Sequence, residues 1–233
     1  AYLSNDGTAL QIIFDSPTNQ GTSAGNTIVP NFKCSTIFNF KSIKESQCVW
    51  STNTEVLVRF GALSMYPQVG DAINLRSGVI QAFCSLPQIQ QCGFYNYTST
   101  MNVTISAPTN PIKPFSMLSS VSSGSICADL SLDPTGSQGA GNRPWKSVLW
   151  NVSVSNLALT TRGNKIARFL NKYYPDTTRI AFVPRNLLNS SVSYEISLTV
   201  TNFLFQSSIR TVSIFIQPAL FSVVPSVRIY GST

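Results

Sequence analysis

The chain has 233 residues, 43% hydrophobic and only 11% charged, with 16 Lys plus Arg against 9 Asp plus Glu, a formal net charge of +7 and no histidine. Without the one side chain whose ordinary pKa lies near neutrality, His-based acid–base catalysis, Ser-His-Asp and Cys-His nucleophile arrangements and His-containing zinc sites are excluded. Nine scattered carboxylates leave little material for a paired-carboxylate glycosidase or a calcium cage, so no enzymatic activity, no cofactor and no metal are expected and a binding or structural role is the default.

In chain order, short alternating runs separated by turn residues come first. Leu10, Ile12 and Phe14 alternate before Ser16-Pro17, Val56, Val58 and Phe60 before Gly61, and Ile73 and Leu75 follow the turn at Gly70-Asp71. Met101, Val103 and Ile105 alternate with Asn102 and Thr104, which predicts a strand with its sequon toward solvent and its other face in a core. Three prolines between Ala107 and Pro114 fix an extended path, and the boundary between two domains, 1–112 and 113–218, is placed there.

The second half repeats the pattern. A strand is expected over Ile126 to Leu132, closed by the turn-rich run Asp133 to Gly139, and a second where Val148, Trp150, Val152 and Val154 alternate. Ile166, Phe169, Leu170 and Tyr173 stand at helical spacing and predict one helix two turns long. Val192, Tyr194, Ile196, Leu198 and Val200 form the longest alternation, answered by Val212, Ile214 and Ile216 at hairpin spacing. The whole reads as all-β: two tandem immunoglobulin- or fibronectin-III-like β-sandwiches, the second with one short helix, and 219–233 as the start of a third unit. Trp50 and Trp150 are expected in the two cores, Tyr194 at a corner, and Asp129 and Asp133 as turn residues before a calcium pair.

Ser, Thr and Asn make up roughly a third of the chain, a polar but non-ionic surface of the kind found on secreted β proteins. Sequons for N-glycosylation stand at Asn96, Asn102, Asn151 and Asn189. The five cysteines form no CxxC pair, so disulfides are the better reading: Cys34 with Cys48 and Cys84 with Cys92 are the sequence-local pairings, among fifteen arrangements that leave one cysteine over. Cys127 is the odd one, read as a buried free thiol or as one that pairs with a cysteine outside this sequence. No apolar run approaches 18 residues, so no segment reads as a membrane span, and the chain is read as an ectodomain piece of a larger surface protein.

Several motifs agree in order with a known family. Leu130 to Gly139, then Arg143-Pro144 and Leu149-Trp150-Asn151-Val152, are similar to the LxxxGSxG…RPxxYxW stretch of the receptor-for-egg-jelly (REJ) module of polycystin-1-like proteins. Ala9 to Asn19, Cys48-Val49-Trp50, Gly70-Asp71 and Tyr194 to Asn202 resemble further motifs of that module. The resemblance implies a non-enzymatic extracellular module of tandem fibronectin-like or PKD-like sandwiches, carried by large membrane proteins of sperm, cilia or flagella. Proteolysis, channel regulation and anchoring are not implied, because no matching segments are present.

Residues 1–112 carry five basic and five acidic side chains, and residues 113–233 eleven and four. Arg162, Lys165, Arg168, Lys172, Arg179 and Arg185 face only Asp176 over residues 162–185, a candidate rim for acidic glycans or acidic extracellular domains. Nucleic acid is a poor partner, since the aromatics are used for strands and no binding motif is present. The expected function is therefore an adhesion or ligand-binding module of a surface glycoprotein. The alternative is a spacer or assembly subunit of a glycosylated surface filament such as a flagellar hair.

Overall fold

A computed structural model of the chain describes residues 1–21, 30–61, 65–84 and 94–218. The fold is mostly β, with one α-helix among the described residues. They group into two compact units. Among the described residues, unit 1 comprises those within 1–114, 139–146 and 201–206, and unit 2 comprises 115–138, 147–200 and 207–218; the expected start of a third unit, 219–233, lies outside the described residues.

Unit 1 pairs a larger and a smaller sheet. The strands β1 (Tyr2–Leu3), β2 (Ala9–Ile13), β3 (Asn31–Lys33), β5 (Ser46–Trp50) and β6 (Glu55–Phe60) form a five-stranded sheet in the order β1-β2-β6-β5-β3. The strands β4 (Phe38–Asn39), β7 (Ala72–Leu75) and β8 (Met101–Thr104) form the other, in the order β4-β7-β8. Period-two alternation becomes packing through register. Leu10, Val58 and Cys48 align across β2, β6 and β5, and Ile12, Val56 and Trp50 form the next row. All six are buried, each row placing its side chains on the core face. Trp50 stacks between Phe14 and Phe32 at 5.6 and 5.9 Å, and Phe38, Ile73, Ile80 and Ile105 complete the core.

The Cys34–Cys48 disulfide joins the middle of β5 to the single helical turn Cys34–Thr36, and both cysteines are buried. Cys84 is also disulfide-bonded, whereas Cys92 lies outside the described residues. β8 departs from expectation, because all four of its residues are exposed. It is the edge of its sheet, and Met101 and Val103 line an open apolar groove of about 320 Å³ with Ile12, Phe14, Phe38 and Ile73 in place of a closed core.

Unit 2 is built on a four-stranded sheet in the order β11-β13-β14-β9: β9 (Ser123–Ser125), β11 (Ser147–Val154), β13 (Val192–Thr201) and β14 (Ser207–Gln217). β9 and β14 are parallel. A two-stranded antiparallel sheet, β10 (Leu130–Leu132) with β12 (Ala181–Val183), lies in the same unit. β13 carries the strictest alternation, with Val192, Tyr194, Ile196, Leu198 and Val200 all buried. The strand expected from Ile126 begins only at Leu130. Cys127 sits in a turn where Ser125 accepts the Cys127 and Ala128 N–H groups, and it is an exposed free thiol, not a buried one.

The helix α1 (Thr160–Tyr173) is 14 residues long, twice the expected length. Its buried stripe is Gly163, Ile166 and Leu170, and Tyr173 is exposed. The start was hidden because Thr160, Thr161 and Gly163 are poor helix formers, and α1 forms by packing on β11. Tyr194 closes the corner before β13: its buried hydroxyl accepts the Asn189 N–H at 2.9 Å.

Candidate binding surface

The helix that carries most of the cationic residues is held against β11 by an exchange of hydrogen bonds. Asn171 of α1 accepts the Trp150 N–H and donates to the Trp150 carbonyl, and the Trp150 indole donates to the Tyr174 carbonyl. Gly163 permits the close approach, since a Cβ there would stand 2.8 Å from the Val152 carbonyl oxygen. With that stripe turned inward, at about 100° per residue Lys165, Arg168 and Lys172 share an arc of about 60° on the opposite side. All three are exposed, and α1 contains no carboxylate.

The other three expected rim residues donate their hydrogen bonds to neutral acceptors. Arg162 donates to Asn189 Oδ1, Arg179 to the Tyr173 carbonyl, and Arg185 to the Cys127 carbonyl. Arg179 also lies 5.0 Å over the Tyr174 ring and Lys172 5.0 Å over Tyr173, so these two cations share the C-terminal end of α1. Asp176 is occupied locally. The Thr178 hydroxyl and N–H bind its carboxylate and hold it below the ordinary range, against a small opposing effect of burial and with help from Arg179.

The two acidic residues weighed for calcium are turn and loop anchors. Asp133 accepts the Thr135 hydroxyl and N–H, which hold its pKa down, and Asp129 accepts the Arg185 N–H. Of the sequon asparagines, Asn96, Asn102 and Asn151 are exposed, and Asn151 stands out of phase with buried Trp150 and Val152 on β11. Asn189 is half-buried, its side chain taken by Arg162 and its N–H by Tyr194.

Arg143, which the sequence distinguishes only as part of a motif, is the most elaborately held cation. It is 6% exposed, donates to the Gly7 and Pro67 carbonyls, and lies within 5.6 Å of the Phe60, Tyr66 and Phe203 ring centres, all within unit 1. Burial pushes its pKa down to about 10, against the opposing pull of Tyr66 and Asp6, so it remains a cation at neutral pH. Its partners are backbone carbonyls and rings far away in sequence, which no local pattern announces. Among the described residues the two units also divide the charge more evenly than the two halves of the chain do, with eight basic and five acidic residues in unit 1 and seven and four in unit 2.

No family model and no curated protein matches the chain. Among solved structures it is similar to the extracellular domain of protocadherin GammaB4 at 12% identity and a TM-score of 0.25, covering 93% of this chain and 34% of that one. It is also similar to the eight N-terminal Ig domains of Down syndrome cell adhesion molecule, at 8% identity and a TM-score of 0.32, covering 90% and 25%. For mouse protocadherin-24 EC1-3 the values are 11% and 0.27, covering 93% and 60%. The chain therefore spans less than two thirds of the length of each.

Proposed function

We propose that the chain is a non-enzymatic extracellular binding module whose contact surface for an anionic partner is the outer face of α1. The observation that carries this reading is the grouping of Lys165, Arg168 and Lys172 on one exposed face without a carboxylate on the helix. Arg162 and Arg185 flank it, held by neutral acceptors, and Arg179 lies beside Asp176. Several cations on one face raise the local concentration of anions, and a sulfated or carboxylated glycan can span such a stripe. A secretory setting is supported by the buried Cys34–Cys48 bridge and by sequon asparagines open to solvent. The finer reading, a REJ-like module of a ciliary or flagellar surface protein, rests on the ordered motifs from Ala9 to Asn202.

Retention on immobilised heparin tests the proposal. The wild-type chain is expected to elute at higher salt than a Lys165→Ser, Arg168→Ser, Lys172→Ser variant, with a steeper salt dependence. Equal elution of the two sinks it. Ordered fibres of the purified chain under the electron microscope would favour the spacer or filament-subunit reading.

A further inference from the structure

The outer face of the small sheet in unit 1 carries a row of amides. Register sets Asn39 of β4 opposite Asn74 of β7, and Asn74 opposite Asn102 of β8. The three side chains therefore stand in line across the sheet, about 5 Å from strand to strand and about 10 Å end to end. None of the three side-chain amides makes a hydrogen bond among the described residues. They line a groove of about 720 Å³ together with Thr36, Thr100 and Arg76. Amides, hydroxyls and a single guanidinium beside the apolar Leu75 and Val79, with no carboxylate, suit a neutral sugar, which presents hydroxyls and carbonyls at its edge and C–H groups on its ring faces.

One residue of the row says which ligand. Asn102 opens the sequon Asn102-Val103-Thr104, and both Asn102 and Thr104 are exposed on this face. We propose that an N-linked glycan on Asn102 folds back across the sheet, its first sugars held by Asn74 and Asn39. β8 is the edge strand of its sheet, so the sugar covers an open edge that otherwise invites pairing with another chain. The inference rests on the extracellular reading above.

The test uses the full chain secreted from a glycosylating host, with sequon occupancy read by peptide mass spectrometry and amide protection of β7 and β8 by hydrogen exchange. Asn102 is expected to be occupied, and protection to exceed that of a Thr104→Ala variant by about three- to tenfold, the range that one or two net hydrogen bonds supply. Asn39→Ser with Asn74→Ser should abolish that increment while leaving protection in the Thr104→Ala background unchanged. An increment that survives the double substitution overturns the inference, as does an empty Asn102 beside occupied Asn96 or Asn151; both leave the extracellular reading standing. No glycan at any of the four sequons, together with five free thiols, overturns that reading itself.

Discussion

Asn171 gives Trp150 what a neighbouring strand would: its Oδ1 accepts the Trp150 N–H at 2.9 Å and its Nδ2 donates to the Trp150 carbonyl at 2.8 Å. β11 is an edge strand, and one side chain from α1 closes that edge at its most buried residue. Asn171→Ala is expected to lower unfolding stability by about 1–3 kcal/mol, because two backbone groups lose their partner. Asn171→Asp keeps the acceptor but sets a carboxylate against the Trp150 and Ala167 carbonyl oxygens. It should be at least as damaging at pH 7 and milder near pH 3, where the protonated acid can donate. Urea denaturation followed by tryptophan fluorescence measures both.

Arg143 sets two effects against each other. Desolvation of a buried cation opposes folding, while the Gly7 and Pro67 carbonyls and three aromatic faces favour it. Arg143→Met fills similar space but leaves two carbonyls without their donor, so a loss of about 2–4 kcal/mol is expected. Arg143→Lys should recover less than half of it, since an ammonium cannot reproduce the planar fork. A Met variant as stable as the wild type in thermal unfolding would show that desolvation dominates.

These two side chains mark the limit of what local pattern conveys. β13, β2 and β6 were legible, because period-two alternation reports which face is buried, whereas the rows that join β2 and β6 to β5 depend on register. The Cys34–Cys48 pair was legible from sequence proximity. Three-residue strands such as β9 and β12 were not, being too short for any period to show. Of the candidate surface, the cationic residues were visible but their sorting was not. Which of the six are held by neutral acceptors and which share the outer arc of α1 depends on the helix phase, and Gly163 sets that phase through a close contact. The Asn39–Asn74–Asn102 row depends on the register of strands far apart in the chain.

With no histidine, the loss of stability in acid is expected to come from carboxylates. Burial alone would raise the pKa of Asp6, but hydrogen bonds from Ser4 and Thr8 outweigh it and hold the folded value below the ordinary 3.8. The unfolded chain then binds more protons than the folded one as pH drops below about 4. The stabilisation is complete above the unfolded value and is lost as pH falls through the folded one. Asp133 and Asp176 shift in the same direction. Urea midpoints at pH 3 to 7 should show this shape, and Asp6→Asn should be destabilised at pH 7 yet show a shallower acid decline. A midpoint that does not drop from pH 5 to pH 3 contradicts it.

Gly163 offers a test in which propensity and packing predict opposite signs. In an isolated helix, replacing an interior glycine with alanine gains about 1 kcal/mol. Here the new Cβ would meet the Val152 carbonyl oxygen at 2.8 Å and Val154 Cγ2 at 2.9 Å, and the former belongs to strand backbone that cannot rotate away. Packing should win, with Gly163→Ala losing about 1–3 kcal/mol and Gly163→Val more. Asn164→Ala, one residue on and exposed, is the control: it carries only the propensity term and should be neutral or slightly stabilising. Because the contact sets the phase of α1, heparin retention of Gly163→Ala should also fall although no cation is removed. Undiminished stability in that variant would mean that α1 stands farther from β11 than the 2.8 Å contact requires.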